Sequence, residues 1–144
     1  MIKSIFGAIL SIAFLTLNLS YTVVNKELVV AENLSTDDRI YELRTYVTHP
    51  GKLDDLHKRF SNHTLQLFAR HGMVNVGYWI PVDQEETLIY ILSHKSREAA
   101  NISWDSFIND PEWKQVYEAS HADGPIVKEI ESVFIKGAPY SQIR

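Results

Sequence analysis

Two residues of opposite charge stand two apart in the segment RIYELRTYVTHPGK, residues 39 to 52: Glu42 and Arg44. On a strand that spacing puts both side chains on one face. They can form an ion pair there. Alternatively Arg44 is free to hold a substrate carboxylate, with Tyr46 beside it. The histidines, His49, His57, His63, His71, His94 and His121, are scattered. None forms an HExxH pair or a helical i, i+4 pair, so no metal or haem centre is expected. The absence of cysteine excludes thiolate nucleophiles, disulfides and cysteine-ligated zinc. P-loop, GxGxxG, nucleophile-elbow and paired-carboxylate patterns are missing too, which argues against nucleotide binding and covalent hydrolysis. A net charge of −4 argues against nucleic acid as a partner. What remains is a set of aromatic and weakly basic groups. Tyr41, Tyr90 and Trp104 offer polar tips on apolar bodies, and His63 is a loose candidate base at the lip of a pocket. Such groups line small-molecule cavities, and they also simply fill cores.

The elements that must position these groups follow from periodicity. Arg39–Tyr46 alternates as a strand and ends at the turn THPG. Lys52–His71 reads as a helix, with Leu53, Leu56, Phe60, Thr64, Leu67 and His71 on one stripe and Gly72 as its stop. Met73–Pro81 and Thr87–His94 read as an antiparallel hairpin across the polar turn VDQEE. Ser96 caps a helix from Arg97 to about Asn109, and Asp110-Pro111 opens another that stops at Gly124-Pro125. Lys128–Lys136 is a last strand. The order βαββαβ is the ferredoxin-like motif of the α+β class. A short echo, IYEL at 40–43 and IYIL at 89–92, places Tyr41 near Tyr90 on the helix-facing side of the sheet. With both helices on one side of the sheet, the open side is expected to carry Ile40, Glu42, Arg44, Asn75, Trp79, Ile89 and Ile91. That side is too apolar for water, and a second copy of the same sheet is its simplest cover. Glu42, Arg44, Tyr46 and Trp79 are then expected in the interior of a homodimer.

The N-terminal stretch stands apart. Lys3 precedes the apolar run IFGAILSIAFLTLNL, the pattern of a secretory signal. An uncleaved anchor is the alternative, since residues 5–24 approach the ~20 residues that span a bilayer. Residues 1–35 are therefore read as a signal peptide or membrane anchor plus linker, and residues 36–144 as the domain. The expected location is exported, periplasmic or extracellular, or membrane-anchored through residues 5–24.

IYELRTYVTHPGKL, VGYW at 76–79, SREA at 96–99, NDPEWKQV at 109–116, ESVF at 131–134 and YS at 140–141 together resemble the NIPSNAP family over about residues 38–144. The resemblance implies a dimeric α/β barrel of ferredoxin-like subunits. It implies no reaction and no cofactor, because the family has no generally established ones. Relatives by fold include small monooxygenases, ring-opening isomerases and haem enzymes, and fold alone does not transfer their chemistry. Two functions stay open. One is a binding protein or cofactor-independent enzyme for a small hydrophobic or aromatic molecule, with Tyr41, His63, Tyr90 and Trp104 around the ligand. The other is a non-catalytic interaction or scaffold module at the cell envelope. No catalytic residue is assigned.

Overall fold

The computed structural model describes residues 39–143. The signal or anchor segment expected within residues 1–35 lies outside the described residues. Strand β1 (Ile40–Thr48) is followed by helix α1 (residues 53–70), the hairpin β2 (Val74–Trp79) and β3 (Thr87–His94), helices α2 (Arg97–Asn109) and α3 (Pro111–Ser120), and strand β4 (Val127–Ile135). The strands pair in the order β2-β3-β1-β4, each antiparallel to its neighbour. This is the ferredoxin-like arrangement expected from the element order, with the helices packed on one face of the sheet. No helix among the described residues is long and apolar enough to cross a membrane.

Helix α1 runs as Leu53–Arg59, Phe60–Thr64 and Leu65–Arg70, the middle segment being one π turn. Leu56, Phe60, Thr64 and Leu67 are buried along it, as the stripe requires. The π turn is secured by Thr64 Oγ1, which donates to the Arg59 carbonyl at 3.2 Å. The helix has no capping side chain of its own. Its cap comes from the far end of the β2–β3 hairpin. The Glu86 carboxylate accepts from the Gly51 and Leu53 amides and from Thr48 Oγ1. An anion at a helix start is favourable because amide donors and the helix dipole both face it. Glu86 reaches them with φ at 60°, a left-handed backbone unusual for a residue with a Cβ. Ser96 and Asp110 cap α2 and α3 as expected, accepting from Ala99 and Glu112 amides at 3.0 and 2.8 Å. At the other end of α1, His71 Nε2 meets Asp110 Oδ2 at 2.7 Å, so it ties α1 to α3 as well as ending its own helix.

The sheet faces correct one expectation. In the β1–β3 register Arg44 lies opposite Tyr90 and Glu42 opposite Leu92, while Leu43 meets Ile91 and Thr45 meets Ile89. Residues paired across antiparallel strands share a face. Glu42, Arg44 and Tyr46 therefore lie with Leu88, Tyr90 and Leu92 under the helices, and so does Ile40. Tyr41 is on the open face with Leu43, Ile89 and Ile91. The echo IYEL/IYIL misleads because its two copies pair with opposite parity, and one residue of slip exchanges every side chain between faces. A bulge between Asn75 and Gly77 turns Asn75 under the helices as well. There its Nδ2 donates to the Leu65 carbonyl at 3.0 Å. Trp79, Ile89 and Ile91 lie on the open face as expected.

The core sits between the sheet and α1–α2. Phe60 and Phe68 pack around Tyr90, with ring centres at 5.3 and 6.1 Å, and Phe107 closes on Phe68 at 4.9 Å. Leu56, Leu67, Met73, Leu88 and Leu92 fill the remainder. Each such side chain contributes on the order of 2 kcal/mol by leaving water.

Candidate functional site: a cleft beside a buried ion pair

Glu42 is the most heavily bonded side chain under the helices. Its carboxylate accepts from Arg44 Nη1 at 2.6 Å, Trp104 Nε1 at 2.7 Å, Ser132 Oγ at 2.7 Å and His94 Nε2 at 3.1 Å. Burial opposes its ionisation. The bonds from His94, Ser132 and Trp104 and the Arg44 charge outweigh burial and hold the carboxyl at about 2. Arg44 stays charged for a matching reason. Burial opposes its charge too, but Tyr46, Tyr90 and Glu42 around it push its pKa up. Its guanidinium lies 4.3 Å from the Trp104 ring centre, and Nη2 donates to the Tyr46 hydroxyl at 3.3 Å. A carboxylate with four donors and this acidity is not a base near neutral pH. The cluster locks β1, β3, β4 and α2 together, and through Arg44 it orients Tyr46.

Tyr46 forms one wall of a cleft of about 360 Å³ between the sheet, α1 and α3. Phe60, Phe107, Trp113 and Tyr117 supply other aromatic walls, and β4 forms the far edge. Trp113 packs on Phe107 at 4.4 Å between ring centres, and Tyr117 follows at 5.7 Å. Arg59 lines the same cleft. Only 5% of this residue is exposed. Its guanidinium lies 5.5 Å from the Trp113 ring and 5.9 Å from the Tyr117 ring, and Nη1 donates to Ser120 Oγ at 3.3 Å. Nε is buried without a partner. Burial lowers the Arg59 pKa, which the neighbouring Tyr46, Tyr117 and Tyr90 offset in part. The π turn begins one residue later, at Phe60, so the widened helix and the cleft coincide. Such turns recur at functional sites. A second, larger cleft of about 460 Å³ lies on the other side of Arg59. Asp55, Lys58, His63 and Asp123 alternate there with Val116, Ala119 and Ile126, and no Phe, Tyr or Trp side chain lines it. Among the described residues no cluster of acidic and histidine side chains is placed to hold a metal ion.

The NIPSNAP family profile matches residues 41–142. The chain belongs to the NIPSNAP family. Solved NIPSNAP structures show the same fold. A family member of unknown function from Agrobacterium tumefaciens superposes with a TM-score of 0.67 at 19% identity, covering 76% of this chain and 96% of that one. An uncharacterized NIPSNAP-like domain protein from Burkholderia xenovorans gives 0.65 at 13% identity, covering 73% and 90%. SnoaB, a cofactor-independent oxygenase from Streptomyces nogalater, gives 0.54 at 16% identity, covering 73% and 98%. Identities this low establish a shared fold and nothing finer. No curated protein matches the chain.

In this NIPSNAP domain the four residues expected around a ligand do not converge. Tyr41 lines a groove on the open face, together with Ile91, Ile135 and Tyr140. His63 is exposed and borders the polar cleft. Tyr90 is fully packed in the core, its hydroxyl buried without an aligned hydrogen bond; burial and then the nearby Tyr46 hydroxyl raise its pKa well above 10. Trp104 is half-buried and committed to Glu42. Of the four residues placed in a dimer interior, Glu42, Arg44 and Tyr46 do come together, but under the helices. Trp79 is on the open face, half-exposed, with its indole over Gly77. Arg59 and Tyr117 are not singled out by the sequence, and Trp113 reads there only as a hydrophobic anchor behind the Asp110-Pro111 cap, not as part of a site. Their signals were present. Arg59 stands three residues after Leu56, on the edge of the apolar stripe, and Trp113 and Tyr117 stand four apart on one face of α3, a helix with no fully buried residue on which Tyr117 itself is exposed.

Proposed function

We propose that this NIPSNAP domain binds a small aromatic or hydrophobic molecule in the cleft lined by Tyr46, Phe60, Phe107, Trp113 and Tyr117. The observation that carries the reading is the cleft itself: about 360 Å³ with aromatic walls, beside a polar network that fixes the orientation of Tyr46. Predominantly apolar walls with a few placed polar groups are the usual make-up of such a site. The ligand position differs from the one expected around Tyr41, His63, Tyr90 and Trp104. It lies one strand over, toward β4, where α3 stands off the sheet.

The reading extends to cofactor-independent chemistry on the bound ring. Support comes from the fold shared with SnoaB, described as a cofactor-independent oxygenase. The proposal assigns no catalytic base, because Glu42 is too acidic and too fully bonded for that role. The working unit is a homodimer that covers the open sheet face. It is exported, or held at a membrane by residues 5–24.

Mass spectrometry of small molecules released from natively purified protein tests the ligand. An aromatic compound retained through purification is expected, and it should be displaced by Ile130→Trp, which narrows the cleft at β4. Protein that never carries a ligand, and binds no aromatic compound in a fragment screen, favours the scaffold alternative. Sequencing the mature N-terminus tests export: a chain that begins at Met1 in the soluble cytoplasmic fraction removes that part of the reading.

A further inference from the structure

We infer that the molecule held in this cleft is an anion, an aromatic carboxylate or phenolate whose charge is met by Arg59. The inference rests on the binding reading above and adds the chemical class of the ligand.

A guanidinium taken out of water normally keeps an acid beside it, because an uncompensated buried charge is costly. The half-buried Arg44 and the buried Arg59 differ in this respect. Arg44 has Glu42 at 2.6 Å. Arg59 is 5% exposed, and among the described residues it makes no ion pair. Of the five N–H donors a guanidinium carries, one is bonded, to Ser120 Oγ, and Nε is buried with none. Trp113 and Tyr117 offer only ring faces at 5.5 and 5.9 Å. These contacts hold the cation without neutralising it. The Thr64 hydroxyl, which also lines the cleft, is spent on the Arg59 carbonyl and keeps the π turn in place. Arg59 borders both clefts, and its guanidinium lies against the Trp113 and Tyr117 rings that line the aromatic one, so a flat ring held beside Trp113 and Tyr46 brings a carboxylate toward its free donors. Guanidinium and carboxylate pair through two parallel hydrogen bonds, which gives both affinity and orientation.

Calorimetric titration of the full chain with 2-naphthoate and with 2-naphthamide separates charge from ring. The two probes share a shape and differ in charge. The acid is expected to bind tighter than the amide. Arg59→Met should weaken the acid about ten- to hundredfold, the range expected for a lost charge-assisted hydrogen bond. The same variant should leave the amide unchanged, and Arg59→Lys should keep part of the preference for the acid. Arg59→Met should also melt at the same temperature as the unmodified protein, or higher, because it removes a buried cation that has no acid. A melting temperature that falls by many degrees would make Arg59 a structural residue and overturn the inference. So would equal binding of the two probes, or a loss of both in Arg59→Met. Binding of the amide with no preference for the acid overturns the anion and leaves the cleft standing. Binding of neither probe removes the cleft reading as well.

Discussion

Glu42 and Arg44 have the same residue types and spacing as many exposed strand pairs, yet their surroundings give them a different weight. Exposed pairs contribute little, because water screens them. Here the carboxylate is 1% exposed and has four donors. Glu42→Gln turns an amide N–H₂ toward donors and leaves Arg44 without its counter-charge. A loss of about 3 kcal/mol is expected, read by urea denaturation at neutral pH. The pH dependence has a definite sign. The carboxyl ionises at about 2 in the folded chain against an ordinary 4.5, so between those values the unfolded chain binds more protons. Stability from this group is complete above pH 4.5 and drains away as pH falls toward 2. Glu42→Gln should flatten that part of the stability–pH curve; an unchanged slope between pH 5 and roughly 3 would show that the network does not hold the charge.

At the level of elements, the boundaries of β3 and α2 are those the periodicity and the Ser96 cap indicate, because each depends only on neighbours in sequence. The start of α1 is not of that kind. Its cap is Glu86, which lies 33 residues beyond Leu53 and adopts a left-handed φ of 60° to reach it. A remote cap of this sort leaves no local mark. Glu86→Ala removes the carboxylate and keeps the strained backbone, whereas Glu86→Gly removes the carboxylate and relaxes it. Both should melt below the unmodified protein, the alanine variant lower. If the alanine variant melts no lower than the parent, the carboxylate does not cap α1. The π turn at Phe60–Thr64 likewise has no signature in the stripe, since Leu56, Phe60, Thr64 and Leu67 fit a plain α-helix equally well. The cleft residues have local spacing signals, but nothing local says that they meet. Arg59 looks like an ordinary surface arginine until α3 is laid over it.

At the scale of the whole molecule, the open sheet face carries Leu43, Ile89, Ile91, Val133 and Ile135, with Val74 and Trp79 half-exposed on the β2 strand. An apolar surface of that extent normally meets a partner. A second copy covers it in the proposed dimer, now without the Glu42–Arg44 pair, which one chain satisfies alone. Ile91→Lys lies at the centre of this face and away from the cleft. Sedimentation at micromolar concentration should show the parent as a dimer and Ile91→Lys as a monomer with unchanged far-ultraviolet dichroism. A monomeric parent would end the two-copy proposal while leaving the cleft intact.

Element order, the hairpin, most helix limits and the family itself were legible in the sequence, because hydrophobic period, caps and turns are local and the family motifs keep their order along the chain. Which face of β1 lies under the helices was not. Both faces of that strand mix apolar and polar residues, so only the antiparallel register with β3 and β4 and the packing of Trp104 on the Glu42 side could decide it. The same holds for Arg59: its type and position were visible, but its lack of an acid is a property of everything folded around it.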